Sequence, residues 1–321
     1  MMGPTAESHA PCLYLGPTLG AYGFSGGHPF GPDRMEAFQK RLNEKGLDAR
    51  VRICTPVRGD QTLIERFHTA EYVDQVRALS ERGRGTLDFG DTPAEPGIFE
   101  AASVVVGTAV DAAERLLAGD CPSALVPIGG LHHARRHRAS GFCVLNDCGV
   151  VIETLKTVHG CTRIAYVDID AHHGDGVYYA FEADPAVWIA DIHQDGRSLF
   201  PGTGDASEEG QGEAVGTKLN LPQPPGADTT AFYSAWERVE AHLDRARPEF
   251  IILQCGADSM AGDPLAGLAF TPETHRWAAS RLLERSKDCR GGLLALGGGG
   301  YDRKNLGEAW SEVVAALIEE P

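Results

Sequence analysis

The chain has 321 residues, 42% hydrophobic and 23% charged, with 45 acidic against 29 basic side chains and a net charge of −16. That balance argues against nucleic acid as a ligand, since phosphate backbones want a basic face, and it suits solubility and the attraction of cationic substrates such as lysine-rich tails or polyamines. The eight cysteines are dispersed with no CxxC spacing, as reduced thiols are; the first residues lack a secretory pattern and no apolar run reaches the ~18 residues of a membrane span, so a cytoplasmic protein without membrane or nucleic-acid partners is expected.

In chain order, residues 50–56 read as a strand, 69–83 and 97–118 as helices, and 123–130 as a strand. A helix over 146–158 comes next, then strands over 162–170, 186–193 and 217–222, and a helix over 229–246. A strand over 249–258, a helix over 271–288, a strand over 292–300 and a helix over 303–319 close the pattern. The strands are short aliphatic or β-branched runs ending in glycine-rich turns, and the helices carry amphipathic spacing. Asn146 and Thr271 stand where N-caps belong. This alternation predicts an α/β fold, a mostly parallel central sheet with helices on both faces. No linker or repeat interrupts it, and the Pro/Gly/acid-rich stretch 201–216 reads as a loop. One domain over 13–321, behind a flexible stretch 1–12, is expected.

The chemistry gathers where strands end, which is where open α/β sheets bind ligands. GGLHHA (129–134) comes after one strand, DIDAHHGDG (168–176) after a second, GADSMAGDP (256–264) after a third and GGGGY (297–301) after a fourth. Together they bring two histidine pairs, five aspartates and a tyrosine to one cleft. In YVDIDAHHGDG, strand alternation puts Asp168, Asp170 and His172 on one side. Carboxylates and an imidazole gathered at a buried strand end need a partner, and a cation is the simplest one. Asp170, His172 and Asp263 would supply three ligands and leave coordination open, as a catalytic Zn²⁺, Fe²⁺, Co²⁺ or Mn²⁺ requires. The glycines at 297–300 lack phosphate-loop spacing and read instead as close backbone approach to the site, Gly299 at the substrate.

GGLHHA with ASGFCVLND, YVDIDAHHGDGV, FPGTGD (200–205), LQCGADSMAGDP and LGGGGY resemble, in order, the signatures of the histone deacetylase superfamily. HPFGPDR (28–34) and PGIFEAA (96–102) extend the resemblance over most of the chain. It includes the bacterial acetoin-utilisation type and the acetylpolyamine amidohydrolases. The resemblance implies an arginase/deacetylase-like fold and zinc-dependent removal of acetyl or related acyl groups from lysine side chains. His132 and His133 would flank the metal water, with His133 as general base and then acid. Asp168 and Asp175 would accept hydrogen bonds from them, and Tyr301 would polarise the carbonyl. Gly141, Phe142 and Phe200 would line the acyl-lysine tunnel, with Asp91 holding the substrate backbone at the rim and Phe270 near the entrance. Arg34 would lie by an internal acetate channel or form a structural ion pair.

The same resemblance implies potassium on carbonyls of Asp168, Asp170, His172, Asp191 and Ile192, together with the Asp168 carboxylate. A second potassium would sit around Phe181, Asp184, Val187 and Thr217. An acyl-lysine protein or peptide is the expected substrate, with an acetylated polyamine as the alternative. No long insertion of the kind that dimerises polyamine deacetylases is present, which favours a monomer. Arginase-type ureohydrolases would need a two-metal aspartate set, and a non-catalytic acyl-lysine binder would be expected to have lost a ligand, the base or Tyr301.

Overall fold

Aliphatic runs with no polar face can be strands only if helices cover both sides of their sheet, and the chain supplies those helices between the runs. The computed structural model describes residues 10–319. Its strands are β1 (Cys12–Tyr14), β2 (Arg52–Cys54), β3 (Ser123–Val126), β4 (Ile164–Asp168), β5 (Val187–Gln194), β6 (Lys218–Gln223), β7 (Phe250–Gln254) and β8 (Leu293–Leu296). They form one sheet in the order β2-β1-β3-β8-β7-β4-β5-β6, with every pairing parallel. Every residue of β3, β4, β7 and β8 is buried. These four strands are adjacent in the middle of the sheet, so the polar loops at their carboxyl ends converge.

The helices are α1 (Pro17–Gly20), α2 (Arg34–Glu44), α3 (Gln61–Ile64), α4 (Ala70–Arg82) and α5 (Ile98–Ala118), then α6 (Asp147–Thr157), α7 (Asp175–Ala180), α8 (Thr229–Ala246), α9 (Pro272–Ser286) and α10 (Arg303–Ile318). One layer runs α8–α9–α10–α2 and the other packs α3, α4 and α6 on the long α5, with α7 against α6. Asn146 caps α6 through its side chain, which accepts from Gly149 N at 2.8 Å. Thr271 takes the cap position of α9 without a side-chain bond, and Pro272 fixes the first turn. No helix among the described residues is long and apolar enough to cross a membrane.

The expected flexible stretch 1–12 falls outside the described residues except at its end, where Cys12 opens β1 and is buried. The expected strands over 123–130, 249–258 and 292–300 all stop earlier, at Val126, Gln254 and Leu296. Past these three strand ends, irregular backbone turns polar groups into the cleft.

Candidate active site

One aspartate at the end of β4, one just past it and one after β7 dominate the cleft. Asp168 ends β4, and its Oδ2 accepts from Tyr166 Oη at 2.6 Å and lies 2.8 Å from His132 Nδ1. Two residues on, Asp170 is 1% exposed and accepts at Oδ2 from Gln254 Nε2 and Gly299 N, each at 2.9 Å. His172 Nδ1 lies 3.1 Å from Asp170 Oδ1 and 3.1 Å from Asp258 Oδ2. Among the described residues, Asp170, His172 and Asp258 form the one cluster of three potential metal ligands, their ligand atoms all within 4.8 Å of one another.

The sequence reading chooses Asp263 as the third ligand; the structure puts Asp258 there. Asp258 sits in a short 3₁₀ turn directly after β7 and is fully buried. Asp263 instead shapes the neighbouring loop, accepting from Leu265 N and from Tyr301 N, each at 2.9 Å. GADSMAGDP offers both carboxylates within six residues, and spacing alone does not separate them.

The cluster has the chemistry of a cation site. Burial raises the Asp258 carboxyl to about 7, and the nearby Asp170 carboxylate adds to it. Asp170 is held well below the usual carboxylate range, because the neighbouring histidines outweigh its burial. Two buried carboxylates around one imidazole cannot all be satisfied by a single proton, whereas a divalent cation with mixed O and N ligands meets the requirement.

Two more imidazoles stand beside it. His132 and His133 face each other through their Nε2 atoms at 3.1 Å, and His132 Nε2 is 3.9 Å from Asp170 Oδ1. Each ring is oriented through its Nδ1, His132 by Asp168 and His133 by Asp175 Oδ1 at 2.7 Å. Asp175 opens α7, and its other oxygen accepts from Arg135 Nη2 at 2.5 Å. Burial and the adjacent His132 lower His133 to about 4. Burial opposes charge on His132 too, but Asp168 and Asp170 outweigh it and raise that ring to about 10. Two adjacent imidazoles are thus driven apart, one toward a base and one toward a cation.

The tyrosine ring of Tyr301 stands edge-on to His172, centroids 6.5 Å apart, and to Phe142 at 5.8 Å. Burial keeps its phenol protonated, well above the usual range. Phe142 has a positive φ of 65°, a strained conformation for an aromatic residue. Gly141 precedes it at φ 53°, and a Cβ there would come within 2.6 Å of His133 and 2.8 Å of Phe200. Phe200 is 45% exposed, with its ring 5.1 Å from that of His133. With Asp88, Phe89, Gly90, Asp91 and Ser140, Gly141 and Phe200 line a groove of about 260 Å³. Gly299 passes over the ligand cluster, where a Cβ would meet Asp258 Oδ2 at 2.1 Å.

Three further expectations change. Phe270 is 1% exposed and packs edge-on to Phe232 at 5.2 Å, so it belongs to the core and not the rim. The exposed large hydrophobic side chain of that loop is Leu265. Among the described residues Arg34 makes no ion pair and its buried Nη1 has no partner: its Nε and Nη2 donate to the carbonyls of Gly300 and Gly298, and it lies over Phe30. The second potassium position does not fit, because Lys218 Nζ occupies the oxygens of Asp184, Val187 and Thr217.

The sequence reading does not name Gln254, Tyr166 or Arg135 as site residues. Their signal is positional: Gln254 and Tyr166 lie on β7 and β4, and Arg135 stands two residues after the histidine pair.

A family profile for the histone deacetylase domain matches residues 28–317. The chain belongs to the histone deacetylase family. Histone deacetylase 6 of Arabidopsis thaliana is 33% identical, the match spanning 99% of this chain and 69% of the relative. Histone deacetylase 8 of Xenopus tropicalis is 34% identical over 89% of this chain and 78% of its own length. The crystal structure of the HDA15 HD domain superposes with a TM-score of 0.88 at 25% identity, covering 97% of this chain and 88% of that one. As a member of the histone deacetylase family, the chain is a hydrolytic deacetylase.

Proposed function

We propose that this deacetylase removes acetyl or related acyl groups from lysine side chains, using one zinc ion held by Asp170, His172 and Asp258. The observation that carries the reading is the meeting of that buried cluster with two oriented imidazoles. The same donor set accommodates Fe²⁺. When bound, such a cation supplies a Lewis acid for the amide carbonyl and lowers the pKa of water toward ~7.

The chain's own groups do the rest. His133 donates from Nδ1 to Asp175, which leaves Nε2 to take the proton of the attacking water. Asp175 and Arg135 hold that ring in one tautomer and orientation. The protonated phenol of Tyr301 donates to the carbonyl oxygen as negative charge develops there, a contact of the kind worth ~3–4 kcal/mol. His132, kept charged by Asp168, stabilises the same charge, and His133, carrying the water's proton, or His132 beside it then protonates the leaving amine. The rings of Phe142 and Phe200 flank the methylene chain, and Asp91 meets the substrate backbone at the groove. The partnerless Arg34 Nη1 fits the carboxylate product. Potassium beside Asp168 remains part of the proposal, since among the described residues no protein donor reaches the carbonyls of Asp170 or His172.

The test is amine release by zinc-loaded protein from an acetyl-lysine peptide and from N-acetylputrescine, side by side. Turnover of the peptide is expected, and Tyr301→Phe should lower kcat by ~10²–10³ with metal content unchanged. Preference for N-acetylputrescine would move the substrate to the polyamine class. Inertness toward both with zinc bound would sink the lysine reading.

A further inference from the structure

Lys218 opens β6 and is only 2% exposed. A buried lysine normally meets a carboxylate, but this one meets none among the described residues. Its Nζ donates to Val187 O at 2.6 Å, Thr217 Oγ1 at 2.8 Å and Asp184 O at 3.1 Å. An ammonium has three N–H donors, and each has one oxygen. Thr217 gives its own hydroxyl proton to Ala214 O at 2.7 Å, so it can only accept from the lysine. The Asp184 carboxylate faces elsewhere, toward Lys156 and Ala186 N. The cage is therefore built of neutral oxygens, two carbonyls from the turn that enters β5 and a hydroxyl from the residue before β6, which is the donor chemistry of a hard cation and not of an ion pair.

We propose that the Lys218 ammonium is a built-in monovalent cation: it closes the oxygen cage between β6 and the loop joining α7 to β5, so that this chain binds no alkali ion there. Burial lowers the ammonium to about 8, with Asp184 and Glu182 acting against that fall, so the charged form prevails at neutral pH. The tethered charge needs no ion from solution, and its binding entropy is settled by the fold. It anchors the far end of the segment whose beginning, Asp175, orients His133. The inference does not depend on the reaction assigned above.

Crystals soaked in thallium(I), a dense monovalent potassium mimic, read the site directly. The wild-type protein should show no thallium among Asp184, Val187 and Thr217, and Lys218→Ala should gain one there. In solution, Lys218→Ala should lose thermal stability and regain it in potassium chloride, beyond any response of the wild type, but not in choline chloride of equal ionic strength. Lys218→Met fills the space without charge; it should be destabilised and show no such rescue. Thallium in the wild-type cage, or Lys218→Met as stable as wild type, would overturn the proposal. So would a Lys218→Ala protein whose melting temperature follows potassium no more than the wild type's. If Lys218→Ala does not fold, the wild-type crystal and Lys218→Met still decide.

Discussion

Asp258 and Asp263 lie five residues apart and take different tasks, one facing His172 and the other the backbone of Tyr301. Replacing each by alanine separates the tasks. Asp258→Ala should lose bound zinc and with it all turnover, measured as metal per chain after gel filtration. Asp263→Ala should keep its zinc and lose activity through the displaced Tyr301 loop. Equal metal loss in both would contradict the assignment. At this scale the sequence is informative about residue types and less so about partners. DIDAHH and LHHA are contiguous and their alternation orders the side chains, so Asp168, Asp170, His172 and the histidine pair can be named. In GADSMAGDP the choice depends on a 3₁₀ turn that a strand expectation over 249–258 conceals. Lys218 is illegible because its carbonyl partners sit 31 and 34 residues away and meet it only through the β5–β6 pairing.

At the scale of elements, most helices can be read to within a few residues, because their apolar stripes and caps agree. Five elements escape that reading: β1, α2 and the one-turn or two-turn helices α1, α3 and α7. β1 is three residues long, too short for any periodicity to show. α2 carries Met35, Phe38 and Leu42 on its buried face, a helical spacing that the sequence does contain. Element packing also reverses one ordinary expectation. Gly107 lies inside α5, where glycine usually costs about 1 kcal/mol relative to alanine. Here a Cβ would come within 2.1 Å of Gly59 N, part of a backbone with no side chain to give way. Gly107→Ala should therefore destabilise, by ~1–3 kcal/mol as overpacking does, in a denaturant titration. A stabilised variant would show that the 57–59 segment moves freely off α5.

His68 shows how such packing sets pH dependence. It is 2% exposed, its Nε2 accepts from Asn146 N at 2.9 Å at the start of α6, and burial lowers it to about 3. Its folded pKa lies below its unfolded one, so between these values the unfolded chain binds the extra proton. The contribution is complete above pH ~6.5 and is lost as pH falls toward 3, by up to about 1.4 kcal/mol per pH unit. His68→Gln should lose less stability than wild type on acidification through that window. Parallel pH profiles of the denaturation midpoint would refute this role for the ring.

Across the whole molecule, the four central strands β3, β8, β7 and β4 aim the loops at their carboxyl ends at one place. The aliphatic runs and glycine turns in the sequence carry that architecture, although the strand order itself cannot be read from them. The net charge of −16 suits a cationic peptide more than an anionic one. The central claim is that one divalent cation, on Asp170, His172 and Asp258, makes this fold a lysine deacetylase. The most direct measurement is acetate release from an acetyl-lysine peptide by metal-stripped protein titrated with zinc. The rate should start near zero, rise linearly and reach a plateau at one zinc per chain. Turnover that ignores added zinc, or a plateau only at two, would contradict the single-cation site.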